Sequence, residues 1–173
     1  GGMLCYGTLQ DSDVYNNVFF YQGSEQGAAI HFRGDTEAGY PSNVRVFNNI
    51  VLAADGRALL RMVPEAAEQN NSLDYDDYFS LSALRLLWGD KEFADFEAFR
   101  KASGQESHGF AADPRLRDAG KGGVGRLPLD AYRLLPDSPC LKTGTGYSPE
   151  YGMLDYWGKA LLNLLRMNIG PEQ

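Results

Sequence analysis

Val14-Tyr15-Asn16-Asn17-Val18-Phe19-Phe20 returns 32 residues later as Val46-Phe47-Asn48-Asn49-Ile50-Val51-Leu52. A weaker copy, Asp74-Tyr75-Asp76-Asp77-Tyr78-Phe79, follows 28 residues further on when Asp76 is set under Asn48. Each copy has an aromatic residue, a polar pair and then apolar residues. Two folds repeat short strands in this way. A β-sandwich does it with hairpins, and its copies need not agree in sequence. A solenoid stacks like side chains coil on coil, about 4.8 Å apart. The polar pair favours the solenoid. Asparagine tolerates the left-handed backbone of a tight corner, and stacked carboxamides bond to one another along the axis. An Asn16, Asn48, Asp76 column, with Asn17, Asn49 and Asp77 beside it, is therefore expected. Aspartate keeps the acceptor and loses the donor, which suits the end of a stack.

Working outward, Val44 and Val46 alternate with Arg45, so the two valines face a core and the arginine faces out. Gly39-Tyr40-Pro41-Ser42 precedes the Asn43 turn, and the insert from Gly34 to Ser42 accounts for the length of that coil. Further short strands are expected at Gly2 to Tyr6, Ala28 to Phe32, Arg57 to Met62 and Leu84 to Trp88. Gly89-Asp90 makes a turn. Asp95 to Ser103 reads as one short helix, with Asp95 as N-cap, Phe96 and Phe99 on one face, and Gly104 as the stop. The predicted organisation is residues 1–92 as β-helix coils and 93–173 as the helix and an irregular capping tail of the same domain. The stretch from Asp118 to Gly125 is the loosest part.

The 173 residues suffice for one domain with a core. A net charge of −7 and the lack of a Lys/Arg cluster argue against a nucleic-acid partner. No apolar run reaches the ~20 residues that cross a membrane as a helix. Gly1-Gly2-Met3 does not begin a basic-then-apolar leader, and the start reads as the middle of a fold. Cys5 and Cys140 are too few for a disulfide framework. They read either as two buried thiols or as a single bridge.

Several of these stretches resemble a known architecture. Tyr75-Asp76-Asp77-Tyr78, Trp88-Gly89, the helix with Phe96 and Phe99, Ser103-Gly104-Gln105-Glu106-Ser107-His108 and Asp113-Pro114 resemble the closing segment of bacterial right-handed parallel β-helix proteins. Leu134-Leu135-Pro136-Asp137-Ser138-Pro139, Gly144, Asp155-Tyr156-Trp157-Gly158-Lys159 and Asn168-Ile169-Gly170-Pro171 continue the likeness. The order is similar to the C-terminal cap of the pectate-lyase-like superfamily. Gly27 to Asp35 and Asn43 to Ile50 look like its last regular coils. The resemblance implies an all-β, right-handed parallel β-helix. It also implies a secreted, periplasmic or cell-surface carbohydrate-active protein, a polysaccharide lyase or glycoside hydrolase, acting on a polysaccharide or oligosaccharide. Main catalytic residues upstream of this chain are compatible with it. Two departures stand out: the ladder turns to aspartate at its third copy, and Leu161, Leu162, Leu164 and Leu165 replace the usual polar loop with a potential helical turn.

His31, Arg33 and Asp35 alternate along one strand and its exit, and so share a face. A lyase needs a base for the proton α to a uronate carboxylate and a cation for the enolate. The bland alternative is an Arg33–Asp35 turn salt bridge beside a surface histidine. Asp11 and Asp13 could bind substrate, serve as an acid–base pair or hold calcium. They could equally satisfy their own corner backbone. Asp74, Asp76 and Asp77 lack the glycine and distal glutamate of a calcium-binding loop and read as a ladder cap. Tyr40, with Tyr6, Tyr15, Tyr21 and Phe47, offers sugar-stacking faces or simply stacks within the solenoid. Ser107-His108 lacks a hydrolase nucleophile context. No resident cofactor or transition-metal pattern is present. The competing functions are a non-catalytic glycan-binding or scaffold solenoid and, third, a jelly-roll lectin. A solenoid end exposes apolar side chains and strand edges. Gly1 to Phe20 is therefore expected to be covered by an upstream β-helix segment, a partner chain or self-association.

Overall fold

A computed structural model describes residues 2–54, 56–119, 129–145 and 166–167. Three coils follow one another. The first has β1 (Met3–Tyr6), β2 (Asp13–Tyr15) and β3 (Val18–Tyr21), and the second β4 (Ala28–Arg33), β5 (Arg45–Phe47) and β6 (Ile50–Ala53). The third has β7 (Ala58–Met62), a short helix α1 (Pro64–Ala67), β8 (Ser72–Asp74) and β9 (Asp77–Ser80). Like strands stack in parallel: β1-β4-β7, β2-β5-β8 and β3-β6-β9. Parallel pairing of the repeat copies makes the fold a β-solenoid and excludes the jelly roll. Parallel crossovers of this kind wind right-handed as a rule.

The first sheet continues through β10 (Leu86–Trp88), parallel to β7, and then β11 (Lys91–Phe93), which turns back antiparallel. The reversal at Gly89 ends the coiling on that side. Helix α2 (Phe96–Ser103) then closes the end. Asp95 Oδ1 accepts from the Ala98 N–H at 2.7 Å, and Gly104, at φ 70°, donates back to the Arg100 carbonyl. Phe99 meets Trp88 and Phe93 edge-on, with ring centroids 6.1 and 5.9 Å apart. Among the described residues there are two α-helices where one was expected. Pro64 at the first helical position and the Asn71 carboxamide donating to the Ala66 carbonyl make α1 possible.

Inside the coils, Ile30, Leu60 and Leu86 stack in one buried column and Cys5, Phe32 and Met62 in another. A second cluster lies outside the third sheet. Ile50 and Leu52 of β6 face outward and are buried by Leu134 and Cys140 of the tail. The tail thus covers the outside of β3-β6-β9, while His31 and Arg33 on the outside of β4 stay half-buried and exposed respectively. A 3-10 helix (Leu129–Tyr132) and a two-stranded ribbon of β12 (Gly144–Thr145) and β13 (Arg166–Met167) complete the described elements. The expected motifs at 155–159 and 168–171, the leucine turn at 161–165 and most of the loose 118–125 stretch lie outside the described residues.

The third copy sits one residue away from its expected register. Ile50 pairs with Asp77 and Phe47 with Asp74, so the interval is 27 residues. Asn16, Asn48 and Tyr75 then form the left-handed corner column, with φ of 56°, 57° and 62°. Asn17, Asn49 and Asp76 form the hydrogen-bonded one, and Asp77 falls below Ile50, outside the ladder.

Candidate functional site

The open outer face of the first sheet carries the main polar cluster. His31 and Arg33 are two residues apart on β4 and share a face. Arg61 on β7 lies in register beside His31. Leu4 precedes His31 in the same row and Leu87 follows Arg61. Leu4 and Tyr6 are exposed, at 59% and 46%. Among the described residues, neither Arg33 nor Arg61 has a hydrogen-bond or ion-pair partner, and Arg61 Nε is shielded from solvent without one. Partial burial first, and then the Arg61 and Arg33 charges, hold the His31 imidazole below its ordinary pKa. His31 is therefore a neutral proton acceptor between two cations at neutral pH.

Asp35 belongs to the loop beyond that face. Its Oδ1 accepts from the Ala38 and Glu37 N–H groups at 2.6 and 3.0 Å, and its Oδ2 accepts from the Tyr6 hydroxyl at 2.5 Å. The Ala38 N–H, the Tyr6 hydroxyl and Arg33 hold its pKa below the usual carboxylate range. An ionised, fully engaged Asp35 is a poor general acid. Tyr40 is half-buried against the core beside the same loop, and its hydroxyl is held protonated by burial and by the Glu65 and Asp35 charges.

Asp11 and Asp13 do not converge. Asp13 makes a two-point salt bridge to Arg45, with both contacts at 2.6 Å. Asp11 accepts from the Asn43 carboxamide at 3.0 Å, and Asn43 accepts in turn from Asn70 at 3.0 Å. Asp11 thus starts a second ladder on another corner. Among the described residues, no three His, Cys, Asp or Glu side chains gather as a metal centre.

The ladder ends in a buried acidic group that the local sequence does not announce. Asn49 N–H and Nδ2 donate to Asp76 Oδ1 at 2.7 and 2.9 Å. The Asp76 N–H donates to Glu106 Oε2, and the Tyr78 hydroxyl to Glu106 Oε1. A Cβ on Gly109 would lie 2.1 Å from Glu106 Oε2 and 2.9 Å from the Asp76 carbonyl, so only glycine lets the chain pass there. Asp77 accepts from the Ala112 N–H and from the Cys140 thiol. Nearby, His108 Nδ1 lies 2.8 Å from Asp74 Oδ2 and its ring stacks on Tyr75 at 4.4 Å. Ser107 Oγ approaches that same nitrogen, so the trio clasps the chain to β8 and lacks the relay geometry of a hydrolase triad.

No family description matches this chain, nor does any curated protein or any solved structure. Sequence reasoning found His31 and Arg33 by alternation and missed Arg61. The available signal was Leu60-Arg61-Met62, a lone cation between two apolar residues on an expected strand.

Proposed function

We propose that this chain forms the C-terminal coils and cap of a secreted carbohydrate-active β-helix protein, akin to the polysaccharide lyases and glycoside hydrolases of the pectate-lyase-like superfamily. Its part is mainly structural, and the open face of the first sheet supplies one wall of a groove for an acidic polysaccharide. One observation carries the reading. His31, Arg33 and Arg61 sit together on an uncovered sheet face, with both guanidinium groups unpaired among the described residues, in a chain of net charge −7. Unpaired guanidinium groups in an acidic protein suit planar carboxylates. Leu4 and Tyr6 beside them offer apolar and ring surface to a sugar. If the groove is catalytic, His31 is the candidate base and Arg33 or Arg61 the cation that stabilises the enolate.

A non-catalytic glycan-binding or scaffold solenoid is the second reading. The full engagement of Asp35 favours it, because no free carboxylate then stands beside His31 as an acid. Titration calorimetry with polygalacturonate and with a neutral glucan tests the binding reading. Polygalacturonate alone should bind, and Arg61→Ala and Arg33→Ala should each weaken it about tenfold or more. Equal heats for both polymers would end the proposal. Ultraviolet absorbance of unsaturated products, or new reducing ends, in the same mixtures separates lyase, hydrolase and binding alone.

A further inference from the structure

His31 stands in the middle of the open face of the first sheet, and the strand register fixes its neighbours. Adjacent strands lie about 4.8 Å apart, and alternate residues of one strand about 6.6 Å apart. Arg61 is the register partner of His31 on β7, and Arg33 lies two residues along β4 on the same face. Both cations therefore flank the ring. No hydrogen bond from a described residue holds the imidazole. Leu4 on β1 and, beyond Arg61, Leu87 on β10 complete the row without charge.

The carboxylates around this face are engaged with other groups. Glu92 on β11 follows Leu87 in the row, and Arg85 holds both its oxygens, at 2.7 and 3.1 Å. Asp35 accepts from the Glu37 and Ala38 N–H groups and from the Tyr6 hydroxyl. Glu65 on α1 bears on Tyr40 instead. Neither these nor the exposed Glu37 offsets the two arginines at His31, so a third positive charge there is disfavoured.

An anionic ligand reverses that balance. A carboxylate seated on Arg33 and Arg61 cancels their repulsion of an imidazolium and adds an attraction of its own, because an opposite charge within about 4–6 Å favours the charged form. On the acidic-polysaccharide reading of this face, we propose that His31 takes up a proton when ligand carboxylates settle on Arg33 and Arg61, so that binding tightens as the solution is acidified. The proton comes from solvent and goes to the unprotonated ring nitrogen. His31 is then the third cation of the complex. The added affinity is complete below the midpoint of the free imidazole and is lost as pH rises through the higher midpoint of the bound one. A protonated imidazole is no base, so the pH range that grips the ligand is the range in which His31 removes no proton from it.

The test is titration calorimetry with a short oligogalacturonate on the full chain and on its His31→Gln variant. Each is measured at about pH 5.5 and about pH 7.5, in two buffers of different ionisation heat. The unaltered chain should bind about fivefold or more tighter at the lower pH and draw protons from the buffer on binding. His31→Gln should lose both effects, while any general change in charge repulsion is common to the two proteins. Histidine resonances, two in this chain, follow the ring directly. The His31 midpoint should rise on saturation with the oligogalacturonate, and Arg61→Gln should raise it in the free protein. Equal pH dependence in the two proteins, or a His31 midpoint that stays or falls on saturation, overturns the proposal and leaves the acidic-polysaccharide reading standing. Absence of binding at both pH values ends that reading and the proposal together.

Discussion

The backbone N–H of Asp76 donates to Glu106 Oε2 at 3.2 Å, and both side chains are fully buried. The two carboxyl groups cap the inner ladder together, and burial favours their neutral forms. It pushes Asp76 up to about 7, and burial together with the Asp76 charge drives Glu106 well above the usual carboxylate range. Asp77, held by Ala112 and Cys140, is likewise pushed by burial to about 7.

These raised values make the cap acid-stabilised. In the unfolded chain the carboxyls titrate near ~4, so between that value and about 7 the folded form holds more protons. Stability from these groups is complete below the unfolded pKa and is lost as pH rises through the folded one. The urea midpoint should therefore fall between pH 5 and pH 8 (about the window set by these groups). Glu106→Gln should flatten the fall. A midpoint that climbs across that range would refute the assignment.

Asn49 is the most heavily bonded ladder residue. Its Oδ1 accepts twice from Asn17, and its Nδ2 reaches the Val14 and Phe47 carbonyls and Asp76 Oδ1. Asn49→Ala should cost about 3 kcal/mol, because several buried groups lose partners at once. Asn49→Asp should cost more, since it sets a carboxylate against Asp76. Equilibrium urea denaturation reads both. Near-native stability of the aspartate variant would be incompatible with this hydrogen-bond pattern.

Asn48 combines a left-handed backbone with a two-point clamp on the tail. Its Nδ2 donates to the Thr145 carbonyl and its Oδ1 accepts the Thr145 N–H, both at 2.8 Å. Asn48→Gly removes the clamp alone, whereas Asn48→Ala adds about 1–2 kcal/mol of backbone strain. The alanine variant should be the less stable by about that margin. The Thr145 amide should exchange faster with solvent in both. Unchanged exchange would show that the tail is held by other contacts.

Cys5 and Cys140 are free and buried. Burial raises Cys5 to about 11, and burial with the Asp77 charge carries Cys140 above the ordinary thiol range. Neither thiol should react with a thiol reagent in the native protein at neutral pH, and both should react after unfolding. Rapid native labelling of either one would contradict their placement.

The repeat, the strands of the first two coils, the Asp95–Gly104 helix limits and the shared face of His31 and Arg33 were all legible in the residues alone, whereas which way that face points was not. They rest on local rules: stacked like side chains, alternation along a strand, and caps at helix ends. The third register was not legible, because Asp76 and Asp77 both fit the ladder by type. Only the α1 turn and the hydrogen bonds from Asn49 select Asp76. Arg61 beside His31, Glu106 beneath Asp76 and Cys140 against Asp77 join residues from different coils or from the tail. Connection lengths between coils decide such neighbours, and a connection's length carries no signal about which side chains it brings together.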